Sequence, residues 1–143
     1  MDVKEYLRSV WYAREEIERL SLRIKEMEAQ AMKVTASISG MPHGGNSDAQ
    51  ALWVRIVDDT DRLYAAINGY YDCIREVEDF IELIPSDKYK AVLKLRYLDC
   101  LAWPQVAERL EHAGYYYDIR QIFRIHGAAL QAARKIMEEE NDG

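Results

Sequence analysis

The chain has 143 residues, 49% hydrophobic and 31% charged, with a formal net charge of −6. That is long enough to bury a sizeable core, and it excludes a uniformly basic nucleic-acid coat. The absence of any run of about 18 apolar residues predicts no membrane-spanning helix. The opening Met-Asp-Val-Lys-Glu lacks the basic-then-apolar pattern of a secretory signal, and the expected location is the cytoplasm. Cys73 and Cys100 are then expected as reduced, small core residues.

Residues 2–34 read as one long helix. Val3, Tyr6, Val10, Ala13, Ile17, Leu20, Ile24, Met27, Ala31 and Val34 keep a 3-4 spacing, a heptad seam of coiled-coil type. Arg14, Glu15, Glu16, Glu18 and Arg19 lie off the seam and are expected in solvent. Residues 35–47 carry Gly and Pro punctuation with Ser and Asn, which predicts a loop. Gly44-Gly45 beside His43 lacks the Lys and the preceding strand of a phosphate loop.

Ser47 or Asp48 is expected to cap a second long helix ending near Leu83. Its seam is Ala49, Leu52, Ile56, Leu63, Ala66, Tyr70, Cys73, Val77, Phe80 and Ile84, with Asp59 the polar interruption. A second row, Trp53, Ile67, Ile74 and Ile81, lies beside it. One partner helix cannot cover so broad a stripe. An antiparallel hairpin with the first helix covers part of it, and the C-terminal module or a second subunit covers the rest. Asp58, Asp59 and Asp61 lack the Gly turn and distal Glu of a calcium loop. The three His and two Cys show no paired metal spacing. No metal site, cofactor or catalytic constellation is expected, and the chain does not read as an enzyme.

Leu83-Ile-Pro-Ser86 leads into three shorter helices. The first is Asp87 to Leu98, with Val92, Leu95 and Leu98 on one stripe and Leu93 and Tyr97 widening it. The second is Pro104 to Leu110, where Pro suits the first turn and Val106, Ala107 and Leu110 face inward. The third starts after Asp118 as N-cap and runs towards Ile136. Ile122, Ile125 and Ala129 face inward; Ile119, Arg120, Phe123, Arg124 and Gly127 face outward. Of Tyr115, Tyr116 and Tyr117, the last is expected in the core. Residues 1–85 hold 10 Lys/Arg against 16 Asp/Glu, residues 86–137 hold 9 against 5, and 138–143 add four acids. The basic excess coincides with a helix-turn-helix pattern, as phosphate binding requires.

The last third resembles region four of bacterial sigma factors. Leu93-Lys-Leu-Arg-Tyr-Leu98 matches that family's first helix, Trp103-Pro-Gln-Val-Ala107 its second, and Asp118 to Leu130 its recognition helix. Nearly the whole chain resembles a group of phage-encoded late-gene transcription regulators of low-GC Gram-positive bacteria, the ArpU/RinA-like group. Tyr6-Leu-Arg8 and Ser39-Gly-Met-Pro-His-Gly44 carry the match outside the C-terminal segments. The chain departs from the sigma pattern in a longer turn, Glu111 to Tyr117, in Asp as N-cap, and in Ile119 and Phe123 where polar base readers are common.

The expected fold is all-α: a long antiparallel hairpin, residues 1–85, then a three-helix helix-turn-helix module with an acidic tail, residues 86–143. The expected function is sequence-specific binding of double-stranded DNA in transcription regulation, in a bacterial host cell. Arg120, Gln121, Phe123, Arg124 and Ile119 would meet base edges, and Lys90, Lys94 and Arg96 the phosphates. RNA polymerase is the protein partner that the resemblance implies, and a homodimer the expected assembly. The alternatives are a phage DNA-packaging subunit of the small-terminase kind, which would form a ring, and a protein-interaction module without DNA binding.

Overall fold

The computed structural model describes residues 2–38 and 46–142. The expected loop features at Pro42, His43 and Gly44-Gly45 lie outside the described residues. The architecture is all-α, in the order α1 (Val3–Ile38), α2 (Asn46–Glu82), α3 (Asp87–Leu93), a π-helical turn (Lys94–Leu98), α4 (Trp103–His112) and α5 (Ile119–Asp142). No strand occurs among the described residues, and no helix among them is long and apolar enough to cross a membrane. The chain divides into two compact units. One comprises Ala13–Tyr70; the other joins Met1–Tyr12 to Tyr71–Gly143.

In the Ala13–Tyr70 unit, α1 and α2 pack through their seams. Ile24, Ala31 and Ile56 are buried, with Met27, Leu52 and Leu63 against them. Ile24 and Ile56 each contribute about 1.5–3 kcal/mol by this burial. Asp59, the polar interruption of the α2 seam, is buried, and its carboxylate accepts two hydrogen bonds from Arg23, from Nε at 2.8 Å and Nη2 at 3.0 Å. This fork answers both carboxylate oxygens. Asp58 and Asp61, by contrast, are exposed. The first helix also runs further than the loop expected from Thr35 onward. Thr35 Oγ1 donates to the Ala31 carbonyl at 2.9 Å, and the helix persists to Ile38. Neither Gly nor Pro occurs before Gly40, so nothing in residues 35–38 breaks the ladder.

In the other unit the start of α1 lies along the end of α2. Tyr6 meets Phe80 edge-on at 5.2 Å, and Ser9 Oγ lies 3.3 Å from Cys73 Sγ. Residue numbers fall on α2 as they rise on α1, so the pairing is antiparallel. Both cysteines are free thiols, half-buried. The Tyr6 phenol is pushed up to about 12 by burial, then by the nearby Glu76 carboxylate. α2 stops at Glu82, two residues short of Ile84, whose position before Pro85 disfavours helical backbone. Ser86 then caps α3, its Oγ accepting from Tyr89 N at 3.3 Å.

The helix expected from Asp87 to Leu98 is not uniform. After Leu93 it widens into the π turn, closed by Asp99 N donating to the Lys94 carbonyl at 3.0 Å. A π turn takes an extra residue, and this shifts which side chains face inward. Val92, Leu93 and Tyr97 are buried, while Leu95 and Leu98 are only half-buried. Cys100 follows in the left-handed region, φ 57°, so that Leu101 N can reach back to the Leu95 carbonyl at 3.1 Å.

Candidate functional site

α3, α4 and α5 close on one apolar cluster: Val92 from α3, Val106 and Leu110 from α4, Ile122 and Ile125 from α5. The sequence dictates each boundary. Pro104 sits in the first turn of α4, where its missing N–H costs nothing, and Gln105 Oε1 accepts from Ala102 N at 3.0 Å. At the other end α4 closes in a Schellman motif: Gly114, φ 93°, donates to the Glu111 carbonyl and Tyr115 N to the Leu110 carbonyl at 2.8 Å. Tyr115 and Tyr117 fold back on the apolar cluster and stack on each other at 5.9 Å, while Tyr116 is exposed.

Asp118 caps α5 as its side chain suggests. Its Oδ1 accepts from Gln121 N at 2.8 Å, and Gln121 Oε1 accepts from Asp118 N at 2.9 Å. This reciprocal pair is a capping box with Asp and Gln in place of Ser and Glu. It fixes the first turn of the helix and commits the Gln121 carbonyl oxygen to the backbone.

The outward face of α5 carries Ile119, Arg120, Phe123, Arg124 and Gly127, all exposed; Ile122, Ile125, Ala129, Leu130 and Ala133 are buried. Ile119 and Phe123 are 41% and 48% exposed, a large apolar area beside two guanidinium groups. Residues four apart on a helix are neighbours, so the two arginines form one row and the two apolar residues another. A Cβ added at Gly127 meets no atom within 4 Å.

The three cations assigned to phosphates from the sequence each have a partner within the chain. Lys94 Nζ contacts Glu82, and Lys90 Nζ lies 3.6 Å from the same carboxylate and 3.7 Å from Asp87. The hydrogen bond from Lys94 holds the Glu82 carboxyl below its ordinary range. Arg96 is drawn between two indoles. Its guanidinium carbon lies 4.5 Å from the Trp103 ring centroid and 5.0 Å from that of Trp11, and Nη1 donates to the Leu101 carbonyl at 2.9 Å. These are cation–π distances. Trp11 returns the contact, Nε1 donating to the Arg96 carbonyl at 3.2 Å. The structure thus brings Arg120, Phe123, Arg124 and Ile119 onto one exposed face of α5, leaves Gln121 exposed but off that face with its carbonyl oxygen in the cap, and pairs Lys90 and Lys94 with Glu82 and Arg96 with two indoles.

A neighbouring feature has no counterpart in the helical periodicity. Trp11 stacks on Tyr97 at 5.1 Å, the Tyr97 hydroxyl lies 2.8 Å from His126 Nε2, and Trp103 meets both His126 and Phe123 edge-on. Around them opens a cavity of about 220 Å³, also lined by Lys4 and Arg8. His126 is lowered to about 4, by burial first and then by the charges of Lys4, Arg96 and Arg8. The one hint in the sequence is Trp11 itself, a large aromatic off the α1 seam and three residues after Arg8. Such a side chain seldom stands in water without a partner. Set against family models, curated proteins and solved structures, the chain matches none of them.

Proposed function

We propose that this protein is a sequence-specific DNA-binding transcription regulator whose α5 enters the major groove. The observation that carries the reading is the outward face of α5, where Arg120 and Arg124 project from a capped helix held on a rigid three-helix core. Guanidinium groups at this position can pair bidentately with guanine O6 and N7, and Phe123 can lie against a thymine methyl. The resemblance to sigma region four and to phage late-gene regulators supports the same reading. Lys90, Lys94 and Arg96 then serve to hold the module together, and the phosphate contacts fall to other cations.

The outer surface of α2 favours self-association as part of this reading. Trp53, Val57 and Tyr64 are exposed, at 44%, 58% and 64%, and their spacings of four and seven residues align them on one face. A dimer accords with a regulator. A ring of many subunits would instead favour DNA packaging, and sedimentation velocity distinguishes the two.

The deciding experiment is fluorescence anisotropy of the whole protein on a pool of duplexes from its genomic neighbourhood, at two salt concentrations. Salt-dependent binding that Arg120→Ala/Arg124→Ala loses supports α5 as the reader. Each arginine bidentate to a base is expected to contribute about 1–3 kcal/mol. Unchanged affinity in the double variant, or no binding at low salt, rejects the reading and leaves a protein-interaction module as its successor.

A further inference from the structure

We propose that the cavity lined by Lys4, Arg8, Trp11, Arg96, Trp103 and His126 is a binding site for a phosphate group. Three cations line it and no carboxylate does. From outside the lining, Glu5 accepts from Arg8 Nη1 at 3.1 Å, and Asp2 lies near enough to act on Tyr97. Arg8 Nε is buried and, among the described residues, has no hydrogen-bond partner. That atom is closed to the cavity, so Arg8 offers a ligand there its charge and the outer edge of its guanidinium. Arg96 is fixed by its two indoles and the Leu101 carbonyl, so one wall of the site is built before any ligand enters.

The aromatic walls narrow the ligand class. The faces of Trp11 carry Tyr97 and the two guanidinium groups, and Trp103 carries Arg96 on its face. A flat apolar ligand finds few ring faces to stack on, whereas an oxyanion finds converging donors. The guanidinium fork matches phosphate geometry, and the cavity of about 220 Å³ holds such a group with several waters, each claiming about 30 Å³. Burial is the first cause of the depressed basicity of His126, and the charges of Lys4, Arg96 and Arg8 add to it. The phosphate could come from a free phosphorylated metabolite or from a nucleic-acid backbone. The inference stands whether or not α5 reads DNA.

The test is an NMR titration of the whole protein with inorganic phosphate, following the His126 ring and the Trp11 Nε1–H resonances. Sodium acetate and chloride at matched ionic strength run beside it. Saturable shifts with phosphate, a His126 midpoint that moves upward, and about tenfold weaker binding in Lys4→Gln and in Arg8→Gln are expected. Equal shifts with acetate, or no saturable shift in the natural protein, overturn the proposal without recourse to any variant's folding. Arg8→Lys keeps the charge but not the guanidinium fork, and binding as tight as the natural protein's would exclude the role of that fork. A short duplex added to phosphate-saturated protein identifies the source: displacement of phosphate assigns the site to a nucleic-acid backbone, and retention assigns it to a free phosphate compound. Arg120→Ala/Arg124→Ala should leave phosphate binding intact, so failure of the α5 reading and failure of this one are separable.

Discussion

Tyr97 and His126, 29 positions apart, share a hydrogen bond of 2.8 Å beneath Trp11 and Trp103. The imidazole is kept neutral by burial and three nearby cations, at about 4 against an ordinary 6.5. Because the unfolded chain binds this proton more readily, stability is complete above about pH 6.5 and falls as pH drops towards 4. For a half-buried ring the loss is roughly 1–2 kcal/mol after allowance for solvent screening. Urea unfolding at a series of pH values measures it, and His126→Gln should flatten the slope in this window.

Cys100 occupies left-handed backbone at φ 57°, which costs a residue with Cβ about 1–2 kcal/mol. Its thiol makes only long contacts, 3.6 Å to the Tyr97 carbonyl and 3.8 Å to that of Leu98. Cys100→Gly is expected to raise the stability of the whole chain by about 1 kcal/mol, offset in part by the greater freedom of the unfolded chain. Thermal melts of the two proteins decide it.

The Arg23–Asp59 fork makes an asymmetric prediction. Arg23→Ala leaves the buried carboxylate to Arg62, whose Nη1 lies 3.5 Å from Asp59 Oδ1, and should cost about 1–2 kcal/mol, less than a fully buried pair because Arg23 keeps about a third of its exposure. Replacing both partners, Arg23→Met with Asp59→Leu, should be near neutral or stabilising. Chemical denaturation of Arg23→Met, Asp59→Leu and the double variant closes the cycle and reads the coupling directly.

Gly127 is exposed on α5 with open space where its Cβ would lie. Gly127→Ala should therefore stabilise the protein by about 0.5–1 kcal/mol. If α5 lies close in a groove, the same substitution weakens duplex binding in the anisotropy assay while the melt improves. Unchanged binding would show that the backbone at Gly127 does not approach the DNA closely.

Much of this fold is written in local periodicity. The seams of α1 and α2, the cap at Asp118 and the division of α5 into an inner row at Ile122, Ile125 and Ala129 and an outer row at Arg120 and Arg124 all follow from spacing. What spacing cannot show is which distant side chain answers a polar group. Asp59 reads as a flaw in a seam until Arg23 is seen beside it. Lys90, Lys94 and Arg96 read as free cations because Glu82, Trp11 and Trp103, their partners, belong to other elements. The π turn was hidden for a similar reason: Lys94–Leu98 has ordinary helical residues, and the hydrogen bonds from Asp99 and Leu101 decide its width.

Glu82, the final residue of α2, gives the charge of the C-terminal stretch a different meaning. Nine cations lie between residues 86 and 137, but a single carboxylate outside that stretch answers two of them. Composition therefore overstates what a polyanion would meet there. Counterion release scales with phosphates neutralised, so the salt slope of duplex binding should count the exposed arginines rather than the basic residues. Glu82→Gln would release Lys94, leave Lys90 to Asp87 alone, and steepen that slope, tightening attachment to any duplex while leaving the choice among sequences to α5.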